Sequence, residues 1–178
     1  MTARLVLVLG GTRSGKSRFG LRRATELANG AAVTYLATAR AGDPELDDRI
    51  RRHRADRPAD WPTVDVGMDL AANVRGVPPA STILLDGLTL WLSAVAGDDA
   101  AAVDAILDGP FAAATGAIRE RTAPVVIVSD ELGLGMVPLD PVSRAFRDLQ
   151  GIAHQRLAAA ADEVHLLVAG LPLTLRDR

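Results

Sequence analysis

The chain has no cysteine, so it carries no disulfide framework, no thiolate nucleophile and no zinc–thiolate site. That absence fits the cytoplasm, which is the expected location. Aromatic residues make up 3% of the sequence, so the core must be aliphatic and nucleic-acid bases would find few rings to stack on. A formal charge of −2 at pH 7 supplies no broad field for a phosphate backbone, and nucleic acid is not an expected partner. No stretch approaches the roughly 20 apolar residues of a membrane helix. The run 5–9 is too short for a signal-peptide core and ends in glycines. What is present is 178 residues, 48% hydrophobic and 24% charged, the balance of a folded soluble protein. A single domain over 1–178 is expected.

Short apolar runs rich in branched residues occupy 5–9, 33–37, 83–85, 125–128 and 164–169. Segments rich in Ala, Leu, Arg and Glu separate them, at 16–28, 44–54, roughly 100–121 and 141–161. The first set reads as buried parallel strands and the second as crossover helices. The fold class is therefore α/β, a layered P-loop NTPase-type fold whose mainly parallel central sheet is flanked by helices. Ligands in such folds bind outside the carboxyl ends of the strands. Pro78-Pro79 and the stretch 97–102 read as surface connections.

The first strand runs directly into Gly10-Gly11-Thr12-Arg13-Ser14-Gly15-Lys16-Ser17, and a helix follows at once. This is the strand–loop–helix context of a phosphate-binding loop. Glycines let successive N–H groups point at phosphate oxygens, and the helix N-terminus adds its positive dipole end. In that reading Lys16 reaches the β and γ phosphates and Ser17 ligates Mg²⁺. The plain alternative is a glycine-rich turn with a solvated lysine. Arg13 reads equally as an added charge on the triphosphate or as a surface arginine.

Asp86 ends the run Ser81-Thr82-Ile83-Leu84-Leu85 on the edge that should face the loop, the usual setting of an acid that orients Mg²⁺. Its other reading is an N-cap for a short helix around 88–92. Ser129-Asp130-Glu131 offers a second such place, with Glu131 as the reserve acid. The following Leu132-Gly133-Leu134-Gly135-Met136-Val137-Pro138 reads as a substrate flap or as an ordinary packed loop.

Three motifs have a shared order: the phosphate loop, Ile50-Arg51-Arg52-His53-Arg54-x-x-Arg57-Pro58-x-x-Trp61, and Asp130-Glu131-x-Gly133-x-Gly135-x-Val137-Pro138. With Arg144-x-Phe146-Arg147-Asp148, Gln155-Arg156-Leu157-Ala158 and Ala161-Asp162-Glu163-Val164, the pattern resembles the bifunctional adenosylcobinamide kinase/adenosylcobinamide-phosphate guanylyltransferase family of cobalamin biosynthesis. It covers essentially the whole chain. The resemblance implies phosphorylation of the cobinamide aminopropanol hydroxyl with ATP or GTP, then transfer of GMP from GTP to give adenosylcobinamide-GDP. Adenosylcobinamide and its phosphate are the implied partners. Nucleotide contacts carry over to the phosphate loop, Thr38, Ala39, Arg40, Arg54, Ala55, Asp56, Arg57, Asp65 and Asp86, and a GMP-histidine intermediate to His53. A homo-oligomer, with a trimer as the expected form, is implied as well. Three departures stand out: the family commonly has Asn-Glu at Asp130-Glu131, often Asn-Gln at His154-Gln155, and commonly glutamate at Asp65.

A double displacement needs a nucleophile that is uncharged near neutral pH, which imidazole supplies. Asp43-Pro44 is a good helix start, and Leu46, Ile50 and His53 then share one face. On spacing alone His53 reads first as a partly buried structural histidine at a helix end, and the resemblance is what makes it the nucleophile. Arg54 and Arg57 would hold the triphosphate beside it or lie exposed on a basic helix. His154 and His165 read as packing or surface residues. Two other functions remain open at this point: a single-activity P-loop kinase of a small hydroxyl substrate, and a nucleotide-dependent switch that transfers nothing.

Overall fold

Strand alternation sends successive side chains to opposite faces of a sheet. Leu5, Leu7 and Leu9 enter one apolar core with Leu36, Ile83, Leu85 and Ile127, while Val6 and Val8 enter another with Leu84, Val126 and Val128. A sheet buried on both faces needs helices on both, which is how a parallel sheet is covered. The computed structural model describes residues 3–39, 51, 57–97 and 102–178. It contains a seven-stranded sheet in the order β3-β2-β4-β5-β1-β6-β7. The strands are β1 (Leu5–Gly10), β2 (Val33–Ala37), β3 (Thr63–Asp65), β4 (Thr82–Asp86), β5 (Val125–Asp130), β6 (Glu163–Val168) and β7 (Leu171–Asp177). Neighbours are parallel throughout except β6 and β7, which are antiparallel.

Helix α1 (Lys16–Ala28) covers the valine face through Phe19, Ala24 and Ala28. A β-carbon on Gly20 would lie 2.6 Å from a methyl of Val128, so glycine there sets how closely α1 approaches the sheet. The leucine face is covered by α2 (Leu70–Gly76), α3 (Leu88–Ala96), α4 (Val103–Ile106), α5 (Ala112–Arg119) and α6 (Pro141–Ala160). Asp140 caps α6 by accepting from the Ser143 N–H at 2.7 Å, with Pro141 following it.

The expected strands and the helices over 16–28 and 141–161 are present within a residue or two at their ends. The helix expected over 100–121 is interrupted. A π-helical turn, Leu107–Phe111, joins α4 to α5, with Gly109 off helical geometry and Pro110 inside. Proline has no N–H to donate and clashes with the preceding turn, so the ladder is remade there. The last expected strand also stops earlier: Ala169 and Gly170 both have positive φ and form a tight turn into β7. The Pro78-Pro79 connection is tied from inside. The buried Arg121 guanidinium donates to the carbonyls of Val77 (3.0 Å), Pro78 (2.8 Å) and Ser81 (2.7 Å). Of the helix expected over 44–54, only Arg51 lies within the described residues.

Candidate active site at the carboxyl edge of the sheet

Gly10 ends β1 and Lys16 begins α1, so the loop between them lies at the carboxyl edge of a strand next to the sheet centre. Its conformation depends on glycine at two positions. A β-carbon on Gly10 would lie 2.4 Å from Ser14 Oγ, and Gly15 takes φ +91° against Gly170 Cα. Gly170 N in turn donates to Ser14 O at 2.9 Å, so the β6–β7 turn holds the loop from behind. Ser14 Oγ is buried with no hydrogen-bond partner in the structure. An orphaned hydroxyl inside a curl of backbone at a helix N-terminus suits a phosphate oxygen. The Lys16 side chain folds over the loop and donates to Gly11 O at 3.1 Å.

Asp86 sits where β4 ends, and Ser17 Oγ donates to its Oδ1 at 3.2 Å. A hydroxyl and a carboxylate converging at this range are hard oxygen donors of the kind Mg²⁺ takes, with phosphate and water completing the shell. Among the described residues no cluster of three or more His, Asp or Glu side chains offers a fuller cage. Tyr35 OH donates to the other oxygen, Asp86 Oδ2, at 2.9 Å. Burial, and then the Asp86 charge, push the phenol's ionisation well above its ordinary range, so Tyr35 remains a donor. Arg57 stacks over the Tyr35 ring, its guanidinium carbon 3.6 Å from the centroid. Thr38 Oγ1 donates to Gly87 O at 2.8 Å and lies 3.2 Å from Asp86 O. Gly87 has φ +105°, and a β-carbon there would meet that hydroxyl at 2.5 Å. Thr38 thus holds the turn that carries Asp86.

One strand over, Asp130 Oδ1 pairs with Lys16 Nζ at 2.6 Å. Asp130 is braced from the leucine face: its N–H donates to Thr89 Oγ1 at 2.9 Å, and Gln150 Nε2 donates to its carbonyl at 2.8 Å. Glu131, the reserve acid of the sequence reading, turns away from the loop. It accepts from Gly133 N at 2.6 Å and lies 3.5 Å from His154 Nδ1. His154 is buried, with Nε2 2.8 Å from Ser129 Oγ. Burial lowers its proton affinity more than Glu131 and Asp130 raise it, so this imidazole is neutral near pH 7. His165 is likewise a packing residue, against Phe19 and Glu163.

Of the residues expected at the site, the phosphate loop, Thr38, Arg57 and Asp86 are brought together, and Ala39 follows Thr38 directly. Arg13 is exposed, with φ 56°. Asp65 is exposed at the end of β3. It pairs in register with Ala37, which pairs with Asp86, so two strand spacings, about 10 Å, separate the two acids along the edge. His53, Arg40, Arg54, Ala55 and Asp56 lie outside the described residues. Sequence reasoning missed Tyr35 and the Asp130 brace, Thr89 and Gln150. Only Tyr35 left a signal, as a polar-tipped residue near the carboxyl end of an apolar run.

The matching family model, described as cobinamide kinase / cobinamide phosphate guanyltransferase, spans residues 6–175. A bifunctional adenosylcobalamin biosynthesis protein CobP of Pseudomonas aeruginosa is 45% identical over 172 residues, covering 96% of both chains. The bifunctional adenosylcobalamin biosynthesis protein CobU of Salmonella typhimurium is 35% identical over 97% of this chain and 99% of its own. Among solved structures, the flagellar accessory protein FlaH of Methanocaldococcus jannaschii aligns with TM-score 0.57 at 12% identity, over 98% of this chain and 79% of that one. A second solved structure, an ATPase domain, aligns with TM-score 0.53 at 17% identity, over 92% of this chain and 68% of its own. These two likenesses establish a shared fold. Full-length sequence agreement on a P-loop sheet of this construction places the chain in the cobinamide kinase / cobinamide phosphate guanyltransferase family.

Proposed function

We propose that this chain, as one domain over 1–178, phosphorylates adenosylcobinamide with ATP or GTP and then guanylylates the product to adenosylcobinamide-GDP. The observation that carries the reading is the carboxyl-edge constellation of a phosphate loop, Lys16, Ser17 and Asp86, in a chain whose relatives are bifunctional over their full length. In the kinase step the hydroxyl oxygen of the aminopropanol arm attacks the γ-phosphorus, its proton is lost, and a nucleoside diphosphate leaves. Lys16 and the loop N–H groups face the charge that gathers on the phosphate oxygens. Ser17 and Asp86 would hold Mg²⁺, which when bound neutralises phosphate charge and fixes the triphosphate's orientation.

In the second step the His53 imidazole attacks the α-phosphorus of GTP, and pyrophosphate leaves. The cobinamide phosphate oxygen then displaces imidazole from the GMP. Arg57, with Arg54, Ala55 and Asp56 in the same segment, and Arg40 after Ala39, supply the remaining nucleotide contacts in this reading. So do Arg13 and Asp65, from opposite ends of the site. The enzyme works in the cytoplasm as a homo-oligomer, with a trimer expected. No described helix is long and apolar enough to cross a membrane.

The test uses GTP labelled at the α phosphate. The wild-type protein should acquire one GMP, stable to alkali and labile to acid, as a phosphorus–imidazole bond requires. His53→Ala should still form adenosylcobinamide phosphate but neither acquire GMP nor make adenosylcobinamide-GDP. Uptake of acid-labile GMP by the variant would give the nucleophile's role to another residue. Failure of the wild type to phosphorylate cobinamide would leave a nucleotide-binding protein with a different acceptor.

A further inference from the structure

Beyond β5 the chain does not pack its apolar side chains inward. In the loop 131–140, Met136 is 95% exposed and Leu139 97%, with Leu134 and Val137 also well exposed. The loop is nevertheless tied down through its backbone. Arg147 donates to the carbonyls of Gly133 (2.7 Å) and Met136 (3.1 Å), and Arg144 to those of Pro138 (3.0 Å) and Leu139 (2.6 Å). Below it lies a groove of about 440 Å³ between α3 and α6, lined by Leu132, Met136, Pro138, Val142 and Phe146, with the polar residues Ser93, Ser143 and Arg147. An apolar cleft with a few convergent polar groups is the usual character of a small-molecule site.

The direction of this groove gives it an occupant. Along α3, Thr89, Ser93 and Gly97 succeed one another at four-residue spacing, as do Gln150, Phe146 and Val142 in the reverse sense along α6. Ser93, Gly97, Phe146 and Val142 line the groove, and Thr89 and Gln150 lie one turn farther in. That inner pair hydrogen-bonds to each other at 2.6 Å and holds the backbone of Asp130, whose carboxylate touches Lys16. The groove itself therefore runs about one helical turn, roughly 5 Å, from an open mouth inward to the buried Thr89 and Gln150, which stand between it and Asp130. A phosphoryl acceptor must present its hydroxyl beside Lys16 while its body lies elsewhere. A ring system too large for the groove to enclose, with apolar edges, an amide fringe and the reacting hydroxyl on a side arm, suits this lining by laying one edge in the open groove.

We infer that the groove between α3 and α6, under the 131–140 loop, seats the corrinoid acceptor, with its aminopropanol arm directed inward to Asp130 and the phosphate loop. This rests on the cobinamide-transferring reading above. Apolar contact comes from Met136, Val142 and Phe146, and the ring's amides meet Ser93 and Ser143.

Met136→Glu and Val142→Glu test it, since both side chains are exposed and neither substitution disturbs the core. Binding of dicyanocobinamide is followed by equilibrium dialysis and corrin absorbance, alongside KM values for cobinamide and nucleotide. Each variant should bind the corrinoid at least about tenfold more weakly, because a carboxylate would be desolvated against an apolar ring. Nucleotide KM and GMP uptake should match wild type, and Met136→Leu should bind like wild type. Unchanged corrinoid affinity in both glutamate variants would overturn the assignment. So would a changed sedimentation coefficient with unchanged affinity, which would make the patch a contact between copies of the chain. If the wild-type protein takes up GMP but binds no corrinoid, the acceptor itself is wrong and the groove assignment falls with it.

Discussion

Lys16 has a carboxylate, that of Asp130, 2.6 Å from its ammonium. A triphosphate entering the loop must compete with Asp130 for that charge. Asp130→Asn should therefore bind nucleotide more tightly, by roughly three- to tenfold, since removing an opposing, partly exposed charge is worth on the order of 1 kcal/mol. Fluorescent-nucleotide titration of both proteins measures this, and weaker binding in the variant would mean that the carboxylate serves the bound nucleotide instead. Asp86 makes the opposite case. Its two oxygens accept from Ser17 and Tyr35, and an amide could accept at only one of them while being a poorer partner for a hydrated divalent cation. Asp86→Asn should shift the Mg²⁺ titration of kinase activity to roughly tenfold higher concentration. An unchanged titration would remove Asp86 from the metal's shell.

At the scale of elements, β6 and α1 are joined through a buried charge. Glu163 opens β6 and is 2% exposed; Arg23 of α1 donates to both its oxygens (2.6 and 2.9 Å), and Arg4 donates at 2.6 Å. Burial alone would raise this carboxyl's pKa, but the hydrogen bonds from Arg23, His165 and Arg4 outweigh burial and lower it to about 2. A folded pKa below the unfolded value of 4.5 means stabilisation that is complete above that value and lost as pH falls toward 2. Glu163→Gln should cost about 3 kcal/mol at neutral pH, by denaturant unfolding, because two arginines lose their shared partner. The difference from wild type should shrink as pH drops through about 4.5, where the carboxyl of the unfolded chain is half protonated. A pH-independent difference would assign the loss to packing. This tie could not be read beforehand: Arg4, Arg23 and Glu163 are far apart in sequence, and each taken alone reads as a surface charge. The phosphate loop, by contrast, was legible because its geometry depends on contiguous residues. Asp86 was legible as a carboxylate closing an apolar run, and its other reading, an N-cap, falls away because Gly87 takes that position. Strand β3 was missed because three residues carry no period, and the break at Leu107–Phe111 because tertiary packing lets a helix resume after Gly109-Pro110.

Across the whole molecule, one edge of the sheet is left apolar. Leu171, Leu173 and Leu175 alternate along β7, so they share a face. All three are more than half exposed, as is Val168 where β6 ends. The strand was not expected from the sequence, since proline at 172 and five exposed positions in a row give none of the burial pattern of the other strands. Edge strands of soluble chains are usually protected by charge, a bulge or a cover. Here the nearest charges on β7, Arg176 and Asp177, come only at its end, and the register shift falls between Val164 and His165 of the partner strand. A stripe of this kind is a natural contact between copies, each leucine contributing roughly 1.5–3 kcal/mol when fully buried. We therefore expect the purified protein to sediment as a multiple of its 18.7 kDa chain, a trimer by resemblance. Leu173→Asp should shift it toward monomer while leaving the far-ultraviolet circular dichroism spectrum unchanged. Wild-type protein that sediments as a monomer at micromolar concentration would contradict the homo-oligomer. A variant that stays assembled would move the interface from β7 to another surface, with the 131–140 loop the next apolar face to test.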